Sequence, residues 1–386
     1  MVIILRRQLK YKNQKCYRYN TKLTSIYFKK VKNRMNGPIA EYTPHKGTIA
    51  MYPFRNDIWR DNAIHLQEYV CSLVDIISKY ETVYFFCESR FIETLRKRYI
   101  NNSNVIIISA SYDDIWARDI GPSFIKIHNQ IKCVDWKFNA WGGVKEGSYY
   151  PWDKDDAFAS FVANYFGFES NRSSIVVEGG GIITDGVGTI FTTRSVLLNR
   201  NRNPFKKQAH IEEQLKKSTG ATRIIWLKQG LVLDETNGHI DNIMSFVSEK
   251  DICLAWTDDR NNPNYSRLRI IEDTLKDLKN LNGERYSIHH VPMPPLQLMT
   301  EHESRGLCKA NSIDRNSGDV LPASYLNFYM FNNAVLIPSF NCETDNVALE
   351  CFNRIFSGRK IIPVYSREPL LGGGGIHCLL HEVPTW

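Results

Sequence analysis

The sequence predicts an α/β protein built from a repeated unit that is rich in strands. Helical and strand-like patterns alternate along most of the 386 residues, and strand-like runs outnumber helical ones by about two to one. A simple doubly wound sheet has about one helix per strand, so the excess of strands argues against it. No linker or low-complexity segment divides the chain after residue 34, so we expect a single domain over residues 35–386.

The predicted helices have apolar residues at helical spacing. Asp153 and Pro204 stand where helix N-termini favour them. The helical segments are 57–79, 90–99, 153–166, 205–218, 263–281 and 344–357.

The predicted strands are short apolar runs bounded by turn residues. They cover 82–87, 104–111, 132–138, 174–178, 189–198, 223–227, 242–247, 252–256, 288–293 and 360–366. The segment 325–340 predicts a hairpin that turns at Asn332 and Asn333.

Basic residues are concentrated at the start of the chain. Residues 1–34 contain eleven Lys or Arg and no Asp or Glu, whereas the remainder has 38 basic and 41 acidic residues. The net charge of +8 therefore belongs to this first segment, which weakens a nucleic-acid-binding interpretation of the rest. We expect residues 1–34 to be a disordered, dispensable extension. The alternatives are a basic arm, a targeting peptide, or an extension upstream of a natural start at Met35.

The nine cysteines are scattered, and no two are spaced C-x-x-C. This pattern argues against a disulfide framework and a zinc site. Most of the cysteines lie beside apolar residues, which is typical of buried, reduced thiols in a cytosolic protein. No apolar run approaches the length of a membrane span. We therefore expect a cytoplasmic protein with no membrane or nucleic-acid partner and no metal.

Five short stretches combine glycine or turn residues with reactive side chains, and most of them border a strand-like run. They are "DDIWARDIGPSF" (113–124), "FNAWGG" (138–143), "VVEGGGIITDG" (176–186), "DETNGHIDN" (234–242) and "GGGGIHC" (372–378). Loops at strand ends are where protein scaffolds commonly hold catalytic groups. The reactive residues within them are one thiol that follows four glycines, one histidine in a turn and four carboxylates: Cys378, His239, Asp119, Glu178, Glu235 and Asp241.

These residue types indicate a cationic substrate. Carboxylates around a thiol raise its pKa and hinder formation of the thiolate, unless the substrate brings a positive charge. A guanidinium fits, because carboxylates can bind two of its edges and leave its central carbon open to attack. A histidine can protonate the departing ammonia and then activate water. The stretches therefore suggest hydrolysis of a guanidine to a ureido group.

From residue 38 to Pro384 the chain resembles the agmatine deiminases of the bacterial-type peptidylarginine deiminase family, within the pentein superfamily. The resemblance is carried, in order, by "YPFRNDIWRDNA", "WARDIGPSF", "DWKFNAWGG", "VEGGGIITDGVGTIFTTRSVLLNRNRNP", "DETNGHIDN", "ASYLNFY" and "GGGGIHC". Each stretch alone is a weak signal, whereas the ordered set is specific. The resemblance implies a five-bladed α/β propeller of ββαβ units with the active site on its central axis, which agrees with the excess of strands.

The resemblance also implies a role for each reactive residue. Cys378 matches the family's nucleophile, and His239 matches its general acid/base. Asp119 and Asp241 match the acids that bind the guanidinium. Glu178 matches the glutamate that supports the histidine and the site.

For the remainder of the substrate, Trp116 and Glu235 match positions that line the pocket for the aminobutyl end, although Asp234 could take the role of Glu235. The implied reaction converts agmatine to N-carbamoylputrescine and ammonia, a step in putrescine biosynthesis, through a covalent thiouronium intermediate on the cysteine. It needs no metal or cofactor. We further expect a homodimer.

The chain departs from the family pattern in three places. Gly375 stands where the family usually has Asn before Ile-His-Cys, and Tyr52-Pro53 replaces a Trp-Pro. After the cysteine, "LLHEVP" (379–384) replaces a Gln-rich segment. None of these changes removes a reacting group, but they affect the geometry of the pocket rim.

Three other functions fit parts of the sequence. One is a deiminase acting on free or peptidyl arginine. The α-carboxylate of arginine would need a cationic partner, whereas the amine of agmatine needs an anion, which Glu235 with Asp234 supplies. The others are an inactive guanidine-binding protein, and nucleic-acid binding through the basic segment 1–34.

Overall fold

The structure, a computed structural model, describes residues 36–232, 234–308 and 311–385. The predicted basic extension, 1–34, lies outside the described residues. Over the described ranges the fold is mixed α/β, with strands and helices alternating along the chain. None of the described helices is long and apolar enough to cross a membrane.

The described strands form six sheets, with the orders β1-β5-β6-β7, β10-β9-β8, β11-β12-β13, β14-β15, β16-β17-β18 and β19-β2-β3-β4. The strands are β1 (Gly37–Pro38), β2 (His45–Met51), β3 (Thr82–Cys87), β4 (Val105–Ser109), β5 (Ser123–Ile127), β6 (Gln130–Lys137), β7 (Glu169–Val176), β8 (Ile182–Thr184), β9 (Thr189–Thr193), β10 (Arg223–Leu227), β11 (Met244–Phe246), β12 (Asp251–Trp256), β13 (Ser287–Pro292), β14 (Gln297–Leu298), β15 (Val320–Leu321), β16 (Tyr329–Phe331), β17 (Ala334–Ser339), β18 (Lys360–Tyr365) and β19 (Leu380–Pro384).

Five of these sheets repeat one arrangement. In each, a central strand pairs antiparallel with one neighbour and parallel with the other; the central strands are β6, β9, β12, β17 and β2. Parallel neighbours require a crossover connection, and in every case it contains a long helix. These helices are Asp153–Phe166, Gln208–Thr219, Tyr265–Leu275, Thr344–Ile355 and Ile64–Ile77. The repeated strand-rich unit expected from the sequence is thus present in the sheet topology.

Shorter helices lie in the connections. The α-helices among them are Ile92–Arg98, Ala117–Ile120, Gly143–Glu146, Arg194–Leu197, Glu301–Arg305, Arg367–Leu371 and Ile376–Leu379. The 3-10 turns are Asp61–Ala63, Ser89–Phe91, Gly179–Gly181 and Ile240–Asn242. Four of these short elements carry or adjoin the predicted site residues: the turns Gly179–Gly181 and Ile240–Asn242, and the helices Ala117–Ile120 and Ile376–Leu379.

The long elements match the sequence prediction closely. Each of the six predicted helical segments overlaps a helix, and the predicted hairpin is present, with Asn333 at φ 63° in its turn. The predicted strand 189–198 is shorter than expected, because β9 ends at Thr193 and the helix Arg194–Leu197 follows. A buried helical turn is as apolar as a buried strand, so hydrophobicity alone does not separate them.

The core lies between the sheets and their crossover helices. All of β3 after its first residue is buried, since helices cover both faces of its sheet. Phe86 of β3 packs edge-to-face on Phe158 of helix Asp153–Phe166, with 5.4 Å between ring centroids. Such packing fixes the strand ends from which the site loops extend.

β2 and β19 are among the strands that the sequence prediction did not include. They pair antiparallel, with Leu380 opposite Ala50, so the beginning and the end of the described chain share one sheet. β19 carries two buried polar residues, His381 and Glu382, which weaken its apolar pattern.

Candidate active site

The predicted site residues lie in the segments that lead into the first strand of successive repeated units. Asp119 lies ahead of β5, Glu178 ahead of β8, His239 and Asp241 ahead of β11, and Cys378 ahead of β19. All five side chains are buried. Equivalent positions in the repeated units thus supply the reactive groups.

Gly180 marks the point where three of these side chains converge. A Cβ on Gly180 would lie 2.7 Å from Asp241 Oδ2, 2.8 Å from His239 Nδ1 and 2.9 Å from Asp119 Oδ1. The backbone N–H of Gly180 also donates to Asp119 Oδ1 at 2.8 Å. A side chain at this position would push the three groups apart, which explains the glycine of the "EGGG" stretch.

His239 lies between two carboxylates. Its Nε2 is 3.5 Å from Glu178 Oε2, and its Nδ1 is 3.9 Å from Asp119 Oδ2. Burial alone would lower the pKa of His239, but the charges of Asp119 and Glu178 outweigh it and raise the pKa to about 9. The imidazole is therefore protonated at neutral pH and can act as an acid.

Glu178 is held by a residue that sequence reasoning did not assign to the site. Arg202 Nε donates to Glu178 Oε1 at 2.7 Å, and both side chains are fully buried. Burial would raise the pKa of Glu178, but Arg202 and His239 lower it to about 2. Arg202 also donates to the carbonyl of Thr236, so it links the glutamate to the loop that carries His239.

One carboxylate oxygen of Asp241 has a hydrogen-bond partner, and the other has none among the described residues. Its Oδ2 accepts a hydrogen bond from His377 Nδ1 at 2.9 Å, and His377 Nε2 lies 2.8 Å from Glu41 Oε2. Burial and Arg118 oppose a charge on His377, but Glu41 and Asp241 raise its pKa to about 9. The other oxygen, Asp241 Oδ1, is buried and has no hydrogen-bond partner among the described residues.

Cys378 is 6% exposed, and its Sγ is 3.9 Å from Asp241 Oδ2. Burial, together with the charges of Asp241 and Asp119, raises the pKa of this thiol well above its ordinary value. The amide of Asn327 donates to Sγ at 3.3 Å. Without a substrate, the thiol is therefore neutral at physiological pH.

The glycine run, residues 372–375, brings the backbone close to the ring of Trp116. Gly373 has φ 97°, which favours glycine. A Cβ on Gly374 would lie 2.3 Å from the ring of Trp116 and 3.2 Å from Cys378 Cβ. Trp116 is buried, and its ring also contacts Trp141, whose Nε1 donates to the guanidinium-binding candidate Asp119 at 2.8 Å.

Glu235, which the sequence predicted to supply an anion for the amine of the substrate, is paired with an arginine. Both carboxylate oxygens accept hydrogen bonds from Arg315, at 2.6 and 2.8 Å, and Arg315 also donates to the carbonyl of Gly372. Glu235 does lie against the glycine run, since a Cβ on Gly373 would be 2.5 Å from its Oε2. A cation, Arg315, thus lies beside this anion. Asp234 accepts hydrogen bonds from Thr236 within its own loop.

Four polar residues near the site had no role in the sequence prediction: Arg202, His377, Asn327 and Arg315. Arg202 and Asn327 lie in stretches that carried the family resemblance, "NRNRNP" and "ASYLNFY", and His377 precedes the cysteine. Within the described ranges, no group of three or more His, Cys, Asp or Glu side chains is arranged to hold a metal ion.

The sequence profile of the Porphyromonas-type peptidyl-arginine deiminase family matches residues 38–384 of this chain. A protein of Mycoplasma capricolum, provisionally named an agmatine deiminase, is 39% identical over 346 residues, which cover 89% of this chain and 94% of the relative.

Solved structures of deiminases also resemble this chain in fold. A structure of the agmatine deiminase of Enterococcus faecalis superposes with a TM-score of 0.86 at 31% identity and covers 91% of this chain and 96% of its own. A structure from Porphyromonas gingivalis, provisionally titled an arginine deiminase, gives a TM-score of 0.77 at 26% identity, with coverage of 91% and 99%. The sequence match over nearly all of the described residues and the agreement in fold place this chain in the Porphyromonas-type peptidyl-arginine deiminase family.

Proposed function

We propose that the protein is an agmatine deiminase that hydrolyses agmatine to N-carbamoylputrescine and ammonia. The observation that carries this proposal is a buried, neutral thiol 3.9 Å from a carboxylate whose second oxygen, Asp241 Oδ1, lacks a hydrogen-bond partner among the described residues. A buried acceptor without a donor is costly, and a guanidinium N–H would satisfy it. The names of the E. faecalis and M. capricolum relatives support the choice of agmatine.

In the proposed first step, the guanidinium binds between Asp119 and Asp241. Its positive charge offsets the carboxylates that raise the pKa of Cys378, so the thiol releases its proton to solvent as the substrate binds. The thiolate then attacks the central carbon and forms a neutral tetrahedral adduct. The protonated imidazole of His239 gives its proton to one amino group, which leaves as ammonia.

A positively charged thiouronium remains bound to Cys378. His239, now neutral, accepts a proton from the attacking water. The second adduct expels the thiolate and releases one proton to form the ureido product. Glu178, held by Arg202, keeps the imidazole in place and favours its charged form through both steps.

At the far end, the methylenes of agmatine pack on Trp116, and the ammonium binds Glu235. Each carboxylate oxygen has two lone pairs, so Glu235 can accept from the ammonium while it remains paired with Arg315.

A second candidate function is arginine deimination. The observation that favours it is Arg315, which is a cation where the α-carboxylate of arginine would lie. The two candidates predict different products from the same site.

We further propose that the five repeated sheets are the blades of a five-bladed α/β propeller with the site on its axis. Support comes from the repetition of one sheet topology and from site residues ahead of the first strand in successive units. We also expect a cytoplasmic homodimer with neither a nucleic-acid nor a membrane partner, acting without a cofactor in putrescine biosynthesis. Its single catalytic domain is expected to span residues 35–386.

The decisive experiment is product identification by mass spectrometry after incubation with agmatine, arginine and a peptidyl-arginine side by side. Conversion of agmatine with the highest kcat/KM supports the proposal. A higher kcat/KM for either of the other two substrates would replace it with the corresponding deiminase. No ammonia from any of the three would contradict both candidate functions.

A further inference from the structure

Asn327 occupies the position in the fourth repeated unit that corresponds to the site residues of the others. It precedes β16, the first strand of that unit, as Asp119, Glu178 and Cys378 precede the first strands of theirs. It is buried, and its side chain contacts the sulfur of the nucleophile. We propose that Asn327 is a catalytic residue of the proposed reaction, which donates a hydrogen bond to Cys378 Sγ and stabilises the thiolate.

The hydrogen-bond network fixes the orientation of the Asn327 amide. Its Oδ1 accepts from the backbone N–H of His377 at 2.9 Å, and a backbone N–H can only donate. The two hydrogens of Nδ2 therefore point to the two remaining neighbours, Asn242 Oδ1 at 3.0 Å and Cys378 Sγ at 3.3 Å.

The next amide in the chain of hydrogen bonds is fixed in the same way. Asn242 Nδ2 donates to the carboxylate of Asp234 at 3.3 Å, and an ionised carboxylate only accepts. Asn242 Oδ1 must therefore face Asn327. The backbone N–H of His377 fixes the amide from the other side, and Nδ2 of Asn327, at 3.3 Å, is nearer to the sulfur than Oδ1, at 3.7 Å.

The charges around the sulfur explain why such a donor is needed. Asp241 and Asp119 both disfavour the thiolate, and the attack on the substrate requires it. A neutral N–H donor stabilises the thiolate without repelling the cationic substrate. A lysine or arginine at this position would repel that substrate.

The space for Asn327 depends on Gly375. A Cβ at position 375 would lie 2.4 Å from Asn327 Oδ1 and 2.9 Å from its Cγ. Any larger residue at this position would displace the amide from the sulfur.

The test uses Asn327→Asp, which keeps the acceptor for His377 but replaces the donor with a carboxylate, and Asn327→Leu, which is similar in size and loses the donor without adding a charge beside the sulfur. The rate of alkylation of Cys378 by iodoacetamide is measured at pH 8 without substrate, on the peptide that contains Cys378. It should fall roughly tenfold or more, as expected for loss of a hydrogen bond to a charged group. The kcat for agmatine should fall by at least as much, with a smaller change in KM. Gly375→Ala should lower the alkylation rate in the same direction.

The matched control is Ser324→Ala. Ser324 lies in the same segment, and its hydroxyl donates to the carbonyl of Asn242 without contacting the sulfur. In Ser324→Ala, the rate of alkylation of Cys378 should stay within about twofold of the wild-type rate. An unchanged rate in Asn327→Leu, or an equal loss in Ser324→Ala, would overturn the proposal. The alkylation assay needs no substrate, so it judges Asn327 even if the wild-type protein does not deiminate agmatine.

Discussion

Replacing Glu235 by Gln tests how the pocket selects the far end of its substrate. Glu235 accepts two hydrogen bonds from Arg315, at 2.6 and 2.8 Å, beside the glycine run that precedes Cys378. The substitution keeps the size of the side chain but removes its charge, so the positive charge of Arg315 is no longer balanced. The ammonium of agmatine should then be repelled, and the α-carboxylate of arginine attracted.

The expected size follows from one charge-assisted hydrogen bond, which contributes about 1.5–3 kcal/mol, or roughly ten- to a hundredfold in affinity. The side chains of Arg315 and Glu235 are 5% and 25% exposed, so water screens the pair only in part. We therefore expect the KM for agmatine to rise by about tenfold or more. The kcat should change less, because Glu235 is placed at the pocket end and not at the reacting carbon.

The assay is steady-state ammonia release with agmatine and with arginine, for wild type and Glu235→Gln. The preference for agmatine over arginine should narrow in the variant. Glu368→Gln is a matched control, because Glu368 forms a similar two-bond pair with Arg60 and has no role in the proposed pocket. An unchanged agmatine KM in Glu235→Gln, or a wild-type protein that prefers arginine, would refute the assignment.

Four other outcomes are expected. Cys378→Ala should abolish turnover but still bind agmatine in calorimetry, because the carboxylates proposed to hold the guanidinium are separate from the thiol. Substantial release of ammonia by this variant would exclude the covalent mechanism. His239 and His377 have pKa values raised to about 9 from 6.5, so their contribution to stability is complete below pH 6.5 and is lost as the pH rises through 9. Urea unfolding midpoints should therefore fall over this window, and a flat profile would contradict the assigned charges. Arg202→Met should lower the free energy of unfolding by about 3–5 kcal/mol, because it leaves a buried carboxylate without its partner; an unchanged melting temperature would show that the pair is dispensable. A chain that begins at Met35 should keep its melting temperature and full activity, and aggregation of that chain would assign the first 34 residues a structural role.

The sequence was most informative where the pattern is local. Segments such as 82–87 and 223–227 matched β3 and β10 residue for residue, because apolar, β-branched and aromatic runs between turns specify buried strands. Five of the six reactive residues lie together because each is in the loop or short turn that leads into a strand, where protein scaffolds commonly hold such groups.

The polar contacts between distant segments could not be predicted. Arg315 pairs with Glu235 across 80 positions in the chain, and His377 contacts Asp241 across 136. No local pattern indicates which of 49 Lys and Arg residues will neutralise a given carboxylate. The sequence therefore predicted an anion at Glu235 but not its partner Arg315, and no local pattern indicated that Asn327, ahead of β16, would contact Cys378.

The pairing of β19 with β2 sets the order in which the enzyme can be completed on the ribosome. Four repeated units consist of three consecutive strands and can form as they emerge, whereas the remaining unit needs both ends of the described chain. Cys378 lies two residues before β19, so a nascent chain contains the site carboxylates and His239 long before Cys378 is synthesised. The same pairing brings the backbone N–H of Thr385 within 3.0 Å of the carbonyl oxygen of Pro44, so the end of the described chain lies beside the start of β2. A circular permutant whose new termini lie in another loop would place Cys378 in the interior of the sequence. The thiol would then be synthesised before some of the acids that surround it.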